Sequence, residues 1–255
     1  SAFLTARPDV ACSYLAEGYI LLMVDTSPFA LVLPCHLFQF LQNPEDYYKS
    51  PPVGTYTRFV RLLCLLLSLF LMPTFLLFCL EPGWLPSFLQ GLIPETLHST
   101  AIFIYVLFVE LGLDLFKYAS AHSANAYSGA FAIIGGLLLS DMAISLQWTN
   151  EEVIFYGAAT LLASLGITSV ELADAIKLYR LFLILVTGLF AFLHLPGVGY
   201  LLGVVLTLIS IITTPVFSRN KYLWPLYPLH PKALGRLLFR YPTNKIQPQP
   251  LDKHR

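Results

Sequence analysis

Charge is what this sequence has least of. Lys, Arg, Asp and Glu make up 12% of its 255 residues and hydrophobic residues 56%, where soluble domains carry roughly a quarter charged. That shortage argues against an ordinary soluble globular domain and points to the membrane class. Cysteine is also scarce: Cys12, Cys35, Cys64 and Cys79 form no CxxC, and the last two fall inside one apolar run. They read as small apolar filler, so no disulfide framework, metal or redox role follows. The six histidines, His122 and His194 among them, show no paired ligand spacing. HExxH, GxSxG and the P-loop are missing. Gly197, Gly199 and Gly203 have one residue too many for a dinucleotide fingerprint and read as turn and packing. No enzyme activity, no cofactor and no metal are therefore expected. Residues 1–8 lack the basic and apolar regions of a secretory signal.

Formal net charge is zero, yet 8 of the 15 Lys and Arg lie after Phe217, against one acid there, Asp252. A basic tail beside an apolar helix reads as a topology determinant and a contact for anionic lipid, with no nucleic-acid partner.

Residues 19–34 contain two β-favouring apolar runs joined by Asp25-Thr26-Ser27-Pro28, types that favour a turn. This predicts a β-hairpin. A lone hairpin is marginal in water, so it is expected to be the remnant of a larger N-terminal cytosolic α/β domain whose earlier part is missing from this chain, with Ser1 a fragment start. Arg58 and Arg61 then precede an uncharged run, 62–80, the first expected span, in which Pro73 predicts a kink. Residues 85–97 are too short to cross and are expected to lie in the outer interface as a helix. Further spans are expected at about 99–116, 126–148, 153–168, 178–195 and 199–217, the last two joined by a tight hairpin at Pro196-Gly197.

With Arg58 and Arg61 inside, Lys117, Lys177, Arg180 and the tail also fall inside, while the outer segments carry only Glu81, Glu95, Glu151 and Glu152. That is the positive-inside pattern. The expected fold is therefore mainly α: a polytopic helical membrane protein with about six transmembrane helices and both termini cytoplasmic. Its parts are the end of a cytosolic domain at 1–55, a helical membrane domain at 56–217 and a basic cytosolic tail at 218–255.

Polar residues at membrane depth are the candidates for function. Glu110 and Asp114 stand at i,i+4, on one helical face, with Lys117 one turn on. An ionised side chain at bilayer depth costs about 2.5–3.5 kcal/mol on insertion scales, so such groups face protein or water. One reading is a cation pathway, in which carboxylates replace part of an ion's hydration shell. The other has Lys117 neutralise Asp114 and leaves Glu110 as a packing group. Ala124, Ser128, Ala132, Gly136 and Ser140 form a small-residue stripe suited to helix packing within a chain or between subunits. Asn125 and Asp141 add polar groups at its ends. Thr160, Ser164 and Thr168 form a hydroxyl stripe that either lines water or bonds its own helix.

Arg7-Pro8-Asp9, Glu17-Gly18, Asp25 with Ser27-Pro28-Phe29, and Glu45-Asp46-Tyr47-Tyr48 resemble the A-subunit family of bacterial spore germinant receptors. Glu110-Leu111 with Asp114, Glu171-Leu172 with Arg180, and Tyr222-Leu223-Trp224-Pro225 with Pro228 continue the resemblance over nearly the whole chain. Within the family, the stretches LGLDLFKYASAHSANA and KYLWPLYPLHPKAL resemble the stage V sporulation protein AF branch. Nutrient-receptor subunits usually show REAG followed by RLP; here Lys117-Tyr118-Ala119-Ser120 and His122-Ser123-Ala124 stand instead. The resemblance implies a protein of the spore inner membrane, both termini on the core side, that assembles as a homo-oligomeric ion channel. It also implies a small membrane partner subunit, other germination proteins as partners, and ion release that amplifies germination in place of nutrient binding. Two alternatives stay open: a non-conducting scaffold, and a proton-coupled transporter, which would show internal repeats and interrupted helices.

Overall fold

The structure, a computed structural model, describes residues 2–16, 19–41, 49–85, 91, 93–94, 99–121, 140–146, 148–214, 222–224, 226 and 235. The chain divides into two units. One comprises Ser1–Leu63, Ile167–Leu172 and Leu208–Arg255, the other Cys64–Gly166 and Ala173–Thr207.

The first unit holds the expected hairpin and more. Strands β2 (Ile20–Met23) and β3 (Ala30–Leu33) pair antiparallel, Ile20 opposite Leu33 and Met23 opposite Ala30. The chain reverses between them at Asp25-Thr26-Ser27-Pro28: Ser27 N–H donates to the Val24 carbonyl, and Asp25 Oδ1 accepts from Thr26 N–H at 2.9 Å. The sequence reading had no place for β1 (Phe3–Thr5), which pairs with the other edge of β3, or for the helix α1 (Pro8–Ala16) that follows it. The sheet order is β1-β3-β2. Successive side chains of a strand alternate faces, so Phe3, Val32 and Leu21 form one row and pack with Val10, Tyr14 and Tyr19 beneath α1. Asp9 sits in the first turn of α1, where its charge suits the helix dipole. The bond from the Arg7 guanidinium holds its carboxyl below the usual carboxylate range.

A 3-10 turn, Leu37–Leu41, follows. Thr168 donates to the Phe40 carbonyl at 3.1 Å, Leu37 N–H donates to the Tyr222 carbonyl at 3.1 Å, and His36 lies 5.7 Å from Trp224, ring to ring. Cys35 is buried here, which pushes its thiol up to about 12. Below that value it stays protonated and is a poor nucleophile. We expect alkylation at pH 8 to reach the exposed Cys12 and to leave Cys35 at least about tenfold slower, as read by mass spectrometry of the folded chain.

Among the described residues five long helices run through the second unit, α2, α5 and α6 extending into the first: α2 (Pro51–Leu80), α3 (Ser99–Ala121), α4 (Glu151–Leu165), α5 (Val170–Ala191) and α6 (Pro196–Thr213). Met72, Phe75 and Leu76 of α2, Ile102, Val106 and Val109 of α3, Val153 of α4 and Ile184 of α5 make its core. Residues 140–145 are helical as well. The outer-interface helix expected at 85–97, most of the span expected at 126–148 and the basic tail lie largely outside the described residues.

Several boundaries differ from the expectation: α5 starts at Val170, eight residues ahead of 178, α3 runs to Ala121, five beyond 116, and α4 ends at Leu165, three short of 168. Helix α2 starts at Pro51, ahead of the uncharged run, because Pro is favoured in a helix's first turn and nothing between 51 and 62 breaks the helix. Pro196 and Gly197 lie inside the first turn of α6, not in the connection. The chain turns instead at 192–195, where His194 takes a left-handed φ of 57° and Leu195 N–H donates to the Phe190 carbonyl, a helix C-terminal motif. Among the described residues two helices, α2 and α6, are long and apolar enough to cross a bilayer by length and composition alone.

Candidate functional site

Helix α3 carries three charged residues on one face, Glu110, Asp114 and Lys117. Helix α5 carries Asp174, Lys177 and Arg180, three apart. The structure joins them in opposite order. Arg180 Nη2 donates to Glu110 Oε2 at 2.8 Å, Lys177 Nζ lies 3.0 Å from Asp114 Oδ2, and Lys117 Nζ lies 3.7 Å from Asp174 Oδ1. The result is a ladder between antiparallel helices, three acids against three bases.

The charge order sets the register. Along α3 the signs run minus, minus, plus, and along α5 the facing residues run plus, plus, minus. Sliding α5 by one turn either way would set Asp114 opposite Asp174 or Lys117 opposite Lys177, and like charges at close quarters repel. Only the observed register pairs every rung.

Burial deepens along the ladder. Side-chain exposure is 61% and 30% for Asp174 and Lys117, 15% and 29% for Asp114 and Lys177, and 2% and 6% for Glu110 and Arg180. At the closed end a third helix takes part: Arg180 Nη1 donates to the Ser68 carbonyl of α2 at 2.9 Å and meets its hydroxyl at 3.3 Å. Pro73, without an N–H, leaves the carbonyl of Leu69 short of its helical donor, one residue beyond the Ser68 carbonyl that Arg180 meets. Among the described residues Glu110 Oε1 and Arg180 Nε are buried without a hydrogen-bond partner.

Two expectations change here. Asp114 pairs with Lys177, not with Lys117, because the facing helix presents the nearer base. Arg180, counted among the inner-side positive charges, lies midway along α5 against Glu110. Asp174 and Ser68 were missed. The signal for Asp174 was in the sequence: two helical triplets of charge with complementary signs in reversed order.

The remaining candidates among the described residues do not join this cluster. Thr160 Oγ1 donates to the Tyr156 carbonyl and Ser164 Oγ to the Leu161 carbonyl, both within α4. Asp141 is exposed and Ser140 half-buried. Asn125, Ala124, Ser128, Ala132 and Gly136 lie outside the described residues, as do Glu17 and Gly18. Asp25 and Pro28 are exposed in the β2–β3 turn. Glu171 accepts from Ser169 Oγ at 2.7 Å, and that oxygen in turn accepts from Leu172 N–H, capping α5. Among the described residues no three His, Cys, Asp or Glu gather as a metal ion requires.

Residues 1–251 match the family described as Bacillus/Clostridium GerA spore germination protein. Stage V sporulation protein AF of Bacillus subtilis (strain 168) is 34% identical over 96% of this chain and 49% of its own length. Spore germination protein GerQA of Bacillus cereus is 27% identical over 97% of this chain and 49% of its own. The uncharacterized membrane protein YfkQ of Bacillus subtilis (strain 168) is 23% identical over 81% of this chain and 40% of its own. The chain thus spans about half the length of the curated relatives it matches, and no solved structure matches it. With the match extending through both units, the chain belongs to the GerA family of Bacillus/Clostridium spore germination proteins.

Proposed function

We propose that this chain is the membrane portion of a spore germination subunit that assembles into an oligomeric cation channel of the spore inner membrane. Its ion release would amplify germination, in company with a small membrane partner subunit, and it catalyses no reaction. It crosses the membrane six times, with both termini on the core side.

The observation that carries this reading is the buried Glu110–Arg180 pair in helices whose outer faces are apolar. Helix α5 buries Ile176, Arg180, Leu183, Ile184 and Thr187 and exposes Leu178, Leu185 and Leu189; α3 exposes Ile104, Phe108, Leu111 and Leu115. Charge inside and large aliphatic side chains outside invert a soluble protein and suit a lipid solvent. At 23 and 22 residues, α3 and α5 reach about 33–35 Å, enough for a hydrocarbon core of about 30 Å. Their charged residues face one another, and the ladder neutralises that charge rung by rung. The sides also agree. The N-terminal residues bond to the connection before α5 and to Tyr222 after α6, both of which charge bias puts inside.

The test is potassium and proton efflux from liposomes holding the purified chain, with and without the small membrane partner. A leak is expected, and Glu110→Gln is expected to change it by about tenfold or more if the charge at Glu110 controls the pathway. A folded, oligomeric protein with no leak in either condition would leave the scaffold reading.

A further inference from the structure

We propose that the α3–α5 seam is a one-sided proton path, running from water at Asp174 and Lys117 past Asp114 and Lys177 to Glu110 Oε1, which is the proton-binding atom. This rests on α3 and α5 being spans of the conducting subunit proposed above.

Three observations carry it. Exposure falls rung by rung towards Glu110, so the seam opens at one end only. Beyond Glu110 the next turns are closed by Met72, Leu76, Val106 and Ile184, each at most 1% exposed, and none of them can pass a charge. At the junction, Arg180 occupies only Oε2, leaving Oε1, among the described residues, as a buried acceptor with no donor.

A buried acceptor left without a donor is costly, and the chemistry selects what fills it. A metal cation at Oε1 would sit beside the Arg180 guanidinium and be repelled by it. A proton forms an O–H bond at Oε1 and removes the carboxylate charge, while Arg180 keeps Oε2 and the Ser68 carbonyl as acceptors. The proton comes from water at the open end, is relayed by the Asp114 carboxylate, and returns the same way. The charged groups facing Glu110 are Arg180 and Lys177 from α5 and Asp114 from α3; α2 contributes the uncharged Ser68.

Infrared difference spectroscopy of the whole chain in lipid tests this. The expected result is a carboxylic-acid carbonyl band that grows as pH falls, is lost in Glu110→Gln and shifts in Glu110→Asp. Its hydrogen–deuterium exchange should slow by about tenfold, roughly 1.4 kcal/mol of added barrier, in Asp114→Leu. Exchange should be unchanged in Thr187→Val, which alters the buried face of α5 on the closed side. Circular dichroism checks that each variant is folded. Should Glu110→Gln not fold, the shift in Glu110→Asp and the exchange rates decide alone. No titrating band that follows residue 110, or exchange slowed by Thr187→Val and not by Asp114→Leu, overturns the proposal. The band without any ion leak removes the channel reading and leaves the proton site; a leak without the band does the reverse.

Discussion

Arg180→Met is expected to destabilise the folded chain by about 3–5 kcal/mol, and adding Glu110→Leu to recover most of that loss. The pair is nearly out of reach of solvent, with side-chain exposures of 2% and 6%. Removing the guanidinium strands an ionised carboxylate beside Val106, Met72 and Ile184, with Asp114 the next charge on its own face. Removing both leaves two unbranched or aliphatic side chains of similar volume in an apolar setting, which such sites often accept. Ser68 loses a donor to its carbonyl in either case, a cost of about 1 kcal/mol common to both variants. A denaturant or thermal double-mutant cycle on the purified chain measures the coupling. If the double variant were as unstable as the sum of the two singles, the pair would not be an energetic unit. Glu110→Gln is milder, since the amide oxygen still accepts from Arg180.

Gly199→Val is expected to destabilise the helix packing outside the ladder, by about 1–3 kcal/mol or more. A Cβ at 199 would meet Phe190 Cβ at 2.5 Å and the Val186 carbonyl oxygen at 3.1 Å. Those atoms are the base of a side chain and backbone, so neither can swing aside, and α6 would have to move off α5. Four residues on, a Cβ at Gly203 would meet Leu183 at 3.0 Å, so the two glycines form one small-residue groove for close helix approach. Gly112 is the control. A Cβ there meets nothing within 4 Å, and Gly112→Ala should add up to about 1 kcal/mol through helix propensity. Thermal unfolding of the three proteins side by side separates the two effects.

The sequence exposes whatever depends on neighbours along the chain. The hairpin was legible because a turn sequence separates two apolar runs. The shared face of Glu110 and Asp114 follows from helical spacing, and the glycines near 199 read as packing for the same local reason. What stayed hidden depends on distant pairing. Strand β1 has only three residues and becomes a strand through β3, which follows some twenty-five residues later. Arg180 and Glu110 are 70 residues apart, so nothing local marks Arg180 as a mid-helix charge, and near a basic loop it reads as a topology signal. Lys117 three residues from Asp114 offers a plausible local pair, and the facing helix supplies a better one.

The central claim is that α3, the stretch from 126 to 148 and α4 each cross the bilayer, setting the charge ladder at membrane depth. Single cysteines in a chain with Cys12, Cys35, Cys64 and Cys79 replaced by alanine, labelled with a membrane-impermeant thiol reagent in sealed vesicles, test it most directly. Exposed positions 83 and 193 (Gly83→Cys, Leu193→Cys) should label from one side, and exposed positions 50 and 170 (Ser50→Cys, Val170→Cys) from the other. Labelling of Gly83→Cys and Val170→Cys from the same side would mean an even number of crossings between them and would contradict the account.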